Sequence, residues 1–190
     1  MMVRVLGRVG SMAGLILPAG CSRPSVVWLE QPQVSTADRR LELRGEQVYW
    51  SQSEGVCRLL AELPLPGART GRPTYVLYLR AAFEKPDRQG AVFARQPRGF
   101  LIQTRGARRG LTPATGGFMR ASAAPESSPD RWRVQAELSF EDGTHLTADF
   151  SAIRNDWRLT RFETRENAAD VRAIMAAPPA DSDQGARPPG

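Results

Sequence analysis

Arginine is the residue type placed most unevenly in this 190-residue chain, and its chemistry is anion recognition. A planar guanidinium offers a donor fork that matches carboxylate and phosphate oxygens two at a time. No acid lies between Asp87 and Glu126, whereas Arg88, Arg95, Arg98, Arg105, Arg108, Arg109 and Arg120 all do. Of these, Arg95, Arg98, Arg105, Arg108 and Arg109 are the expected polyanion-binding residues, because neighbouring strands and a loop would gather them into one positive surface. Phe93 and Phe100 interleave with them, a pattern shared with nucleic-acid binders. A plainer reading stands beside this one. Lys85 is the one lysine among 26 basic residues, and the skew runs along the whole chain, as a GC-rich gene would produce. The face would then be merely solvated, or paired with acids such as Glu46, Glu54 or Glu62.

Other chemistry is sparse. His145 is the single histidine, so a histidine-based acid or base has one candidate. On a strand, His145 and Asp149 share a face but stand about 13 Å apart, too far to pair. Glu137 is a possible cross-strand neighbour by position. The expectation is an exposed strand histidine. There is no Cys-x-x-Cys, no His-Glu-x-x-His, no phosphate-cradling glycine loop and no Gly-x-Ser-x-Gly elbow. Glu141 and Asp142 fall in a turn, where solvation explains them. No catalytic residue, metal site or cofactor is expected, and an enzyme is not the reading.

The two cysteines, Cys21 and Cys57, sit in different contexts. Cys57 lies in an apolar run and reads as a small buried hydrophobe. Cys21 closes a segment with Arg4 and Arg8, no acid, an apolar stretch over 11–17, and small residues Ala19 and Gly20. A positive start, an apolar middle and a small-residue cut site describe a secretory signal. Leu17-Pro18-Ala19-Gly20-Cys21 resembles the lipobox of bacterial lipoproteins. Ala19, Gly20 and Cys21 match that pattern directly; Pro18 stands where the family has Leu, Val or Ile, and Leu17 is the right type one place early. The resemblance covers residues 1–21 only. It implies a signal peptide over 1–20, diacylglycerol on the Cys21 sulfur and a protein held on the cell envelope. Ser22, rather than Asp, after the cysteine implies the outer membrane in a Gram-negative host.

That reading governs the partners. Two acyl chains hold a protein stably, since each buried methylene contributes about 0.8 kcal/mol. If Cys21 is acylated, Cys57 has no partner within the chain. An exported protein meets anionic lipid and envelope polymers rather than nucleic acid, so the arginines point to an envelope polyanion. An ordinary signal with a coincidental cysteine and an unexported cytoplasmic protein are the competing readings.

The elements that must position these residues are mainly strands. Val26 to Leu29 reads as a leading strand, or as an apolar patch at the membrane interface. Leu41 and Leu43 alternate with Arg40, Glu42 and Arg44 at strand period. Further strands are expected over Gln47–Trp50, Cys57–Leu63, Thr74–Arg80, Ala91–Ala94 and Gly99–Thr104, with breaks at 53–55, 64–67 and 85–87. Residues 106–117 read as a Gly/Thr-rich loop and Phe118–Ser122 as a short strand. In 131–150, Trp132, Val134, Ala136, Leu138 and Phe140 share one face, Asp142-Gly143 turns the chain, and Leu146, Ala148 and Phe150 continue the apolar face. Trp157–Phe162 is expected to add the third strand of a meander. Asn167–Asp170 reads as a capped start of one short helix ending near Ala177.

The sequence therefore predicts a mainly β fold, a single antiparallel β-sandwich or partly open barrel with one short C-terminal helix. The expected division is a tether and leading strand over 21–37, a β-rich domain over 38–177 and a disordered Pro-rich tail over 178–190. The leading function is a lipid-anchored envelope protein with a structural or interaction role. The alternatives are a small-ligand module holding an apolar or anionic compound, and a cytoplasmic nucleic-acid binder if the signal reading fails.

Overall fold

Alternation in 131–154 dictates a hairpin. A computed structural model describes residues 25–31, 40–45, 47–64, 74–83, 90–124 and 130–176. In it, Val134, Ala136, Leu138 and Phe140 on one strand and Leu146, Ala148, Phe150 and Ala152 on the next are all buried. Gly143 takes a φ of 78° at the turn. The Thr144 N–H donates to the Asp142 carboxylate at 2.9 Å, the local bond that makes Asp-Gly a turn.

Ten strands are described: β1 (Ser25–Glu30), β2 (Arg40–Gly45), β3 (Gln47–Ser53), β4 (Val56–Leu63), β5 (Tyr75–Ala82), β6 (Val92–Arg95), β7 (Arg98–Arg105), β8 (Arg108–Ala123), β9 (Arg131–Phe140) and β10 (His145–Arg154). The class is mainly β, as expected. Of the two architectures, it is the barrel. Strands β3, β4, β5, β7, β8, β9 and β10 pair in succession, and β10 returns to β3 to close a seven-stranded ring. The closing contact is parallel and short, Ile153 opposite Tyr49 and Arg154 opposite Trp50; the other pairings are antiparallel.

The extra strands attach where long strands serve two neighbours. One edge of β10 pairs first with β1 and then with β3; one edge of β8 pairs first with β7 and then with β6. The side chains of Val27, Leu29, Leu59, Leu77, Leu79, Leu101, Met119 and Phe150 fill the interior. Val26 to Leu29 is thus a sheet strand, paired with β2 and β10, and not an interfacial patch.

Two expectations are corrected. The stretch 106–117 is not a loop. Gly106-Ala107 alone makes the turn, and β8 runs unbroken through the glycines with an irregularity between Ala114 and Gly116. Glycine weakens strand propensity, but β7 on one side and β9 on the other supply the ladder. The second is Trp157–Phe162, which is helical. Helix α1 (Asp156–Arg161) runs into a π-helical turn (Phe162–Glu166), and α2 (Ala168–Ala176) follows at the position expected for the short helix. Asn155 caps α1, its side-chain oxygen accepting from the Arg158 N–H at 2.9 Å. The meander is formed by β8, β9 and β10 instead.

This helical strap covers the outer face of β4, β5 and β7. Leu60, Tyr78, Phe100 and Ile102 of the barrel meet Leu159, Phe162 and Val171 of the strap, forming a second core. Burying each of the three strap residues contributes roughly 1.5–3 kcal/mol. A strap ion pair contributes about 0–1 kcal/mol where it is exposed. Packing therefore holds the strap on, and polar contacts fix where it sits.

Candidate functional site

The barrel has two distinct ends, and the candidate residues separate between them. At one end lie the last residue of β10 and the start of α1, and β1 begins level with Phe150, about midway along β10. The Ser151 N–H donates to the Ser25 hydroxyl oxygen at 2.9 Å, which locks the start of β1 beside the middle of β10. At the other end lie the β9–β10 turn and the β7–β8 hairpin. Nine residues of β10 separate the two, roughly 30 Å of strand.

Arg105 and Arg108 occupy the far hairpin. They flank the Gly106-Ala107 turn, face each other across the last rung of the ladder, and are exposed. Gly106 supplies the turn with a φ of 60°. With its amide oxygen turned inward, Gln103 accepts from the Tyr75 hydroxyl and from two nitrogens of Arg105, each at 2.9 Å. Arg105 is therefore aimed by a neutral group. Among the described residues, no acid pairs with Arg105 or Arg108. Like charges set opposite one another on adjacent strands repel. A bound anion would relieve that repulsion.

The other expected residues do not join this pair. Arg109 turns to the opposite face of β8 and donates to Asp170 at 2.5 Å and to the Asn167 side-chain oxygen. Arg98 donates to the main-chain oxygen of Met175 at 2.9 Å, near the C-terminal end of α2, where helix carbonyls lack partners. Both hold the strap in place. Arg95 lies on β6 with its guanidinium 5.7 Å from the centre of the Phe93 ring, and Phe93 stacks on Phe118 at 5.8 Å. Arg120, opposite Phe93, is twelve residues along β8 from Arg108, roughly 40 Å of strand. The five arginines thus do not form one surface; among the described residues, Arg105 and Arg108 are the two of them that converge without an acid. Arg88 and Cys21 lie outside the described residues.

His145 is exposed at the far end, its Nδ1 3.2 Å from the Ser139 hydroxyl. Its register partner is Ser139, not Glu137, and Asp149 is taken by Arg133 at 2.5 Å. Among the described residues, no group of three or more His, Cys, Asp or Glu could hold a metal. Cys57 is fully buried, its thiol 3.4 Å from the Ala81 carbonyl oxygen, and burial pushes it up to about 12.

Two features were missed in the sequence. The first is the polar seam under the strap. Arg58 bonds Asp156 at 3.2 Å and Glu163 at 3.1 Å; Arg158 bonds Glu62 at 2.6 Å and Glu166 at 2.7 Å. The second is a cleft of about 290 Å³ on the outer face of β1, β10, β9 and β8. Val26 and Trp28 form one wall and Phe118 the other, with Gln135, Glu137, Thr147 and Asp149 on the floor. The period-two pattern gave one signal for it: Val26 and Trp28 fall on the outward positions of a strand whose inward residues are Val27 and Leu29.

No family model, curated protein or solved structure matches the chain.

Proposed function

We propose that this chain is a lipid-anchored protein of the bacterial envelope, attached through Cys21, that contacts an anionic envelope polymer through the Arg105–Arg108 hairpin. One observation carries the reading. The strand that follows the lipobox-like segment begins midway along β10, level with Phe150, and runs towards the β9–β10 turn, so the chain enters from the side away from that turn; at the turn's end of the barrel two exposed arginines, with no acid partner among the described residues, face each other. A protein tethered from that side presents the turn's end to whatever lies beyond the membrane. The neutral Gln103–Tyr75 pair aims Arg105 without cancelling its charge. The role is recognition and attachment rather than catalysis.

The anchor is tested by incorporation of labelled fatty acid in a bacterial host. Label on the wild-type protein and none on Cys21→Ser supports it; no label on either removes it. Polymer contact is tested by co-sedimentation of the purified protein with peptidoglycan sacculi and with anionic polysaccharide. Binding that weakens in Arg105→Ala/Arg108→Ala supports the contact, and binding equal to wild type in that variant removes it.

The outer cleft favours a second reading, a small-ligand site. Trp28 and Phe118 would flank an apolar ring face, while Thr147 and Gln135 offer hydrogen bonds. The Glu137 carboxylate on the floor argues for a neutral or cationic ligand and against an anionic one. A thermal-shift screen of neutral and cationic compounds, repeated with Trp28→Ala, tests it: a ligand whose shift survives the substitution does not occupy this cleft.

A further inference from the structure

We infer that the barrel end carrying Ile153 and Trp157 rests on the bilayer surface, so that the protein stands on its membrane in one orientation with the Arg105–Arg108 hairpin pointing away. This rests on the proposed acylation of Cys21 and adds to it a surface, a lipid partner and a direction.

Chain geometry limits where the anchored domain can sit. Cys21 precedes Ser25 by four residues, and four residues reach at most about 14 Å when fully extended. Ser25 is buried and fixed against Ser151, so this point of the barrel cannot lie further than that span from the anchored cysteine. Ser25 stands level with Phe150, and Ile153 lies three residues further along β10, roughly 10 Å towards the rim. The bilayer is therefore within reach of the rim itself.

That rim has the surface a lipid headgroup layer selects. Ile153 is 42% exposed and Trp157 is 66% exposed. Phe93 is the other large exposed hydrophobic among the described residues, and it is packed on Phe118 along the barrel wall. Among the described residues, none of that kind occurs at the far end. Trp157 is the type of side chain enriched at membrane interfaces, with an apolar body and an N–H that stays wet. Arginines ring the pair. Arg161 lies 5.4 Å from the centre of the Trp157 ring and is paired with Glu166 at 3.1 Å, Arg131 stands opposite Ile153 and reaches Ser151 at 3.3 Å, and Arg154 is exposed. Arg154 approaches Asp156 only to 3.8 Å, and Asp156 is shared with Arg58. Long cationic side chains around an apolar tip suit anionic headgroups above a hydrocarbon edge. The two acyl chains retain the protein; this surface sets its angle.

The experiment uses the acylated full-length protein, purified from host membranes after labelling with fatty acid. It is reconstituted into vesicles of phosphatidylcholine and phosphatidylglycerol whose acyl chains carry bromine, a quencher of tryptophan fluorescence at short range. Wild type is compared with Trp157→Phe, and with Trp157→Phe/Ala107→Trp, which moves the reporter to the far hairpin. Bromine-dependent quenching that is mostly lost in Trp157→Phe and not restored by the far-end tryptophan is the expected result. Quenching unchanged in Trp157→Phe, or restored by Ala107→Trp, overturns the orientation while the labelled anchor stands. Absence of label removes the anchor and the orientation with it. Trp157 is exposed, so its replacement by Phe leaves the fold intact, which a far-ultraviolet spectrum checks.

Discussion

Tyr78 donates its hydroxyl hydrogen to the Glu163 carboxylate at 2.5 Å, joining the barrel wall to the π-helical turn of the strap. The same carboxylate accepts from Arg58 at 3.1 Å. Both side chains of the ion pair are largely buried, Arg58 at 17% and Glu163 at 13% exposure, so water replaces neither well if one is lost. Glu163→Ala should cost about 2–3 kcal/mol, leaving a buried guanidinium and a buried hydroxyl short of a partner. For a domain of this size that lowers the melting temperature by roughly 5–10 °C. Glu163→Gln keeps an acceptor for Tyr78 and loses the charge for Arg58, so its melting temperature should fall between the two.

The alkaline limb of stability follows from two buried protonated groups. Burial raises Cys57 to about 12 from its model-compound value of 9.0. Burial first, then the hydrogen bond to Glu163, raises Tyr78 well above the ordinary tyrosine range. In each case the folded chain keeps a proton that the unfolded chain releases. Their contribution is complete below pH 9 and is lost as pH rises, for Cys57 between about 9 and 12. Stability should fall by up to about 1.4 kcal/mol per pH unit per group in that window. Denaturant titrations of wild type and Cys57→Ala from pH 7 to 11 check this: the variant should have the shallower slope above pH 9. An equal slope in both proteins would show that Cys57 keeps its ordinary pKa in the fold.

The fold was legible wherever one face of a strand is buried and the other wet. Arg131–Phe150 is such a stretch, because inward Val134, Ala136 and Leu138 alternate with outward Arg133, Gln135 and Glu137. Trp157–Phe162 misled because Trp157 and Leu159 alternate with Arg158 and Thr160, which mimics a strand over four residues. The deciding signals were the Asn155 cap and the spacing of Leu159 and Phe162, both of which face the barrel. The hairpin around Gly106 was hidden for a different reason. Its β7 arm is held by β5 and its β8 arm continues into the ladder with β9, a tertiary fact that glycine content conceals. The arginines were legible as a group but not as a site. Whether an arginine meets Asp170, Met175 or solvent depends on which strand end it occupies, and one sequence does not state that.

Gly117 marks a close approach of main chains in the β8–β9 ladder. Its φ is +126°, and a Cβ placed there would fall 2.0 Å from the Glu137 carbonyl oxygen. Neither the main-chain conformation nor the space tolerates a side chain. Gly117→Ala should cost more than about 2 kcal/mol, the sum of strain and displaced ladder. Gly106→Ala, in an open turn with nothing near its Cβ position, should cost only about 1 kcal/mol from its φ. Chemical denaturation of the two variants gives the comparison, and a smaller loss at 117 than at 106 would contradict the ladder geometry.

Helix α2 has nine residues, too few to be stable alone in water. Its order depends on Val171 packing against the barrel and on Arg98 and Arg109. Arg109 is 46% exposed, so its bond to Asp170 contributes at most about 1 kcal/mol after screening. Arg98→Ala/Arg109→Ala should therefore leave the barrel folded while amide exchange in 168–176 accelerates. Exchange in β4 and β5 should stay at the wild-type rate. Uniform acceleration across both regions would mean that the strap and barrel open as one unit.

Arg105 and Arg108 give the prediction that separates binding from folding. The two residues occupy opposed positions on the last rung of β7 and β8, with no acid among the described residues to offset them. Removing one positive charge there should stabilise the free protein by about 0.2–1 kcal/mol, because a like-charged cross-strand pair is destabilising. Arg108→Glu should do so most, by placing an opposite charge across from Arg105. If the pair grips an anionic polymer, the same substitution should weaken that binding by about tenfold or more, the equivalent of roughly 1.4 kcal/mol. Wild-type binding should also decline from low to high salt, as the screening length shrinks from about 10 Å at 0.1 M to 3 Å at 1 M. Melting curves and co-sedimentation on the same variant therefore move in opposite directions. A variant that is more stable and binds equally well would mean that the hairpin charges are not the contact.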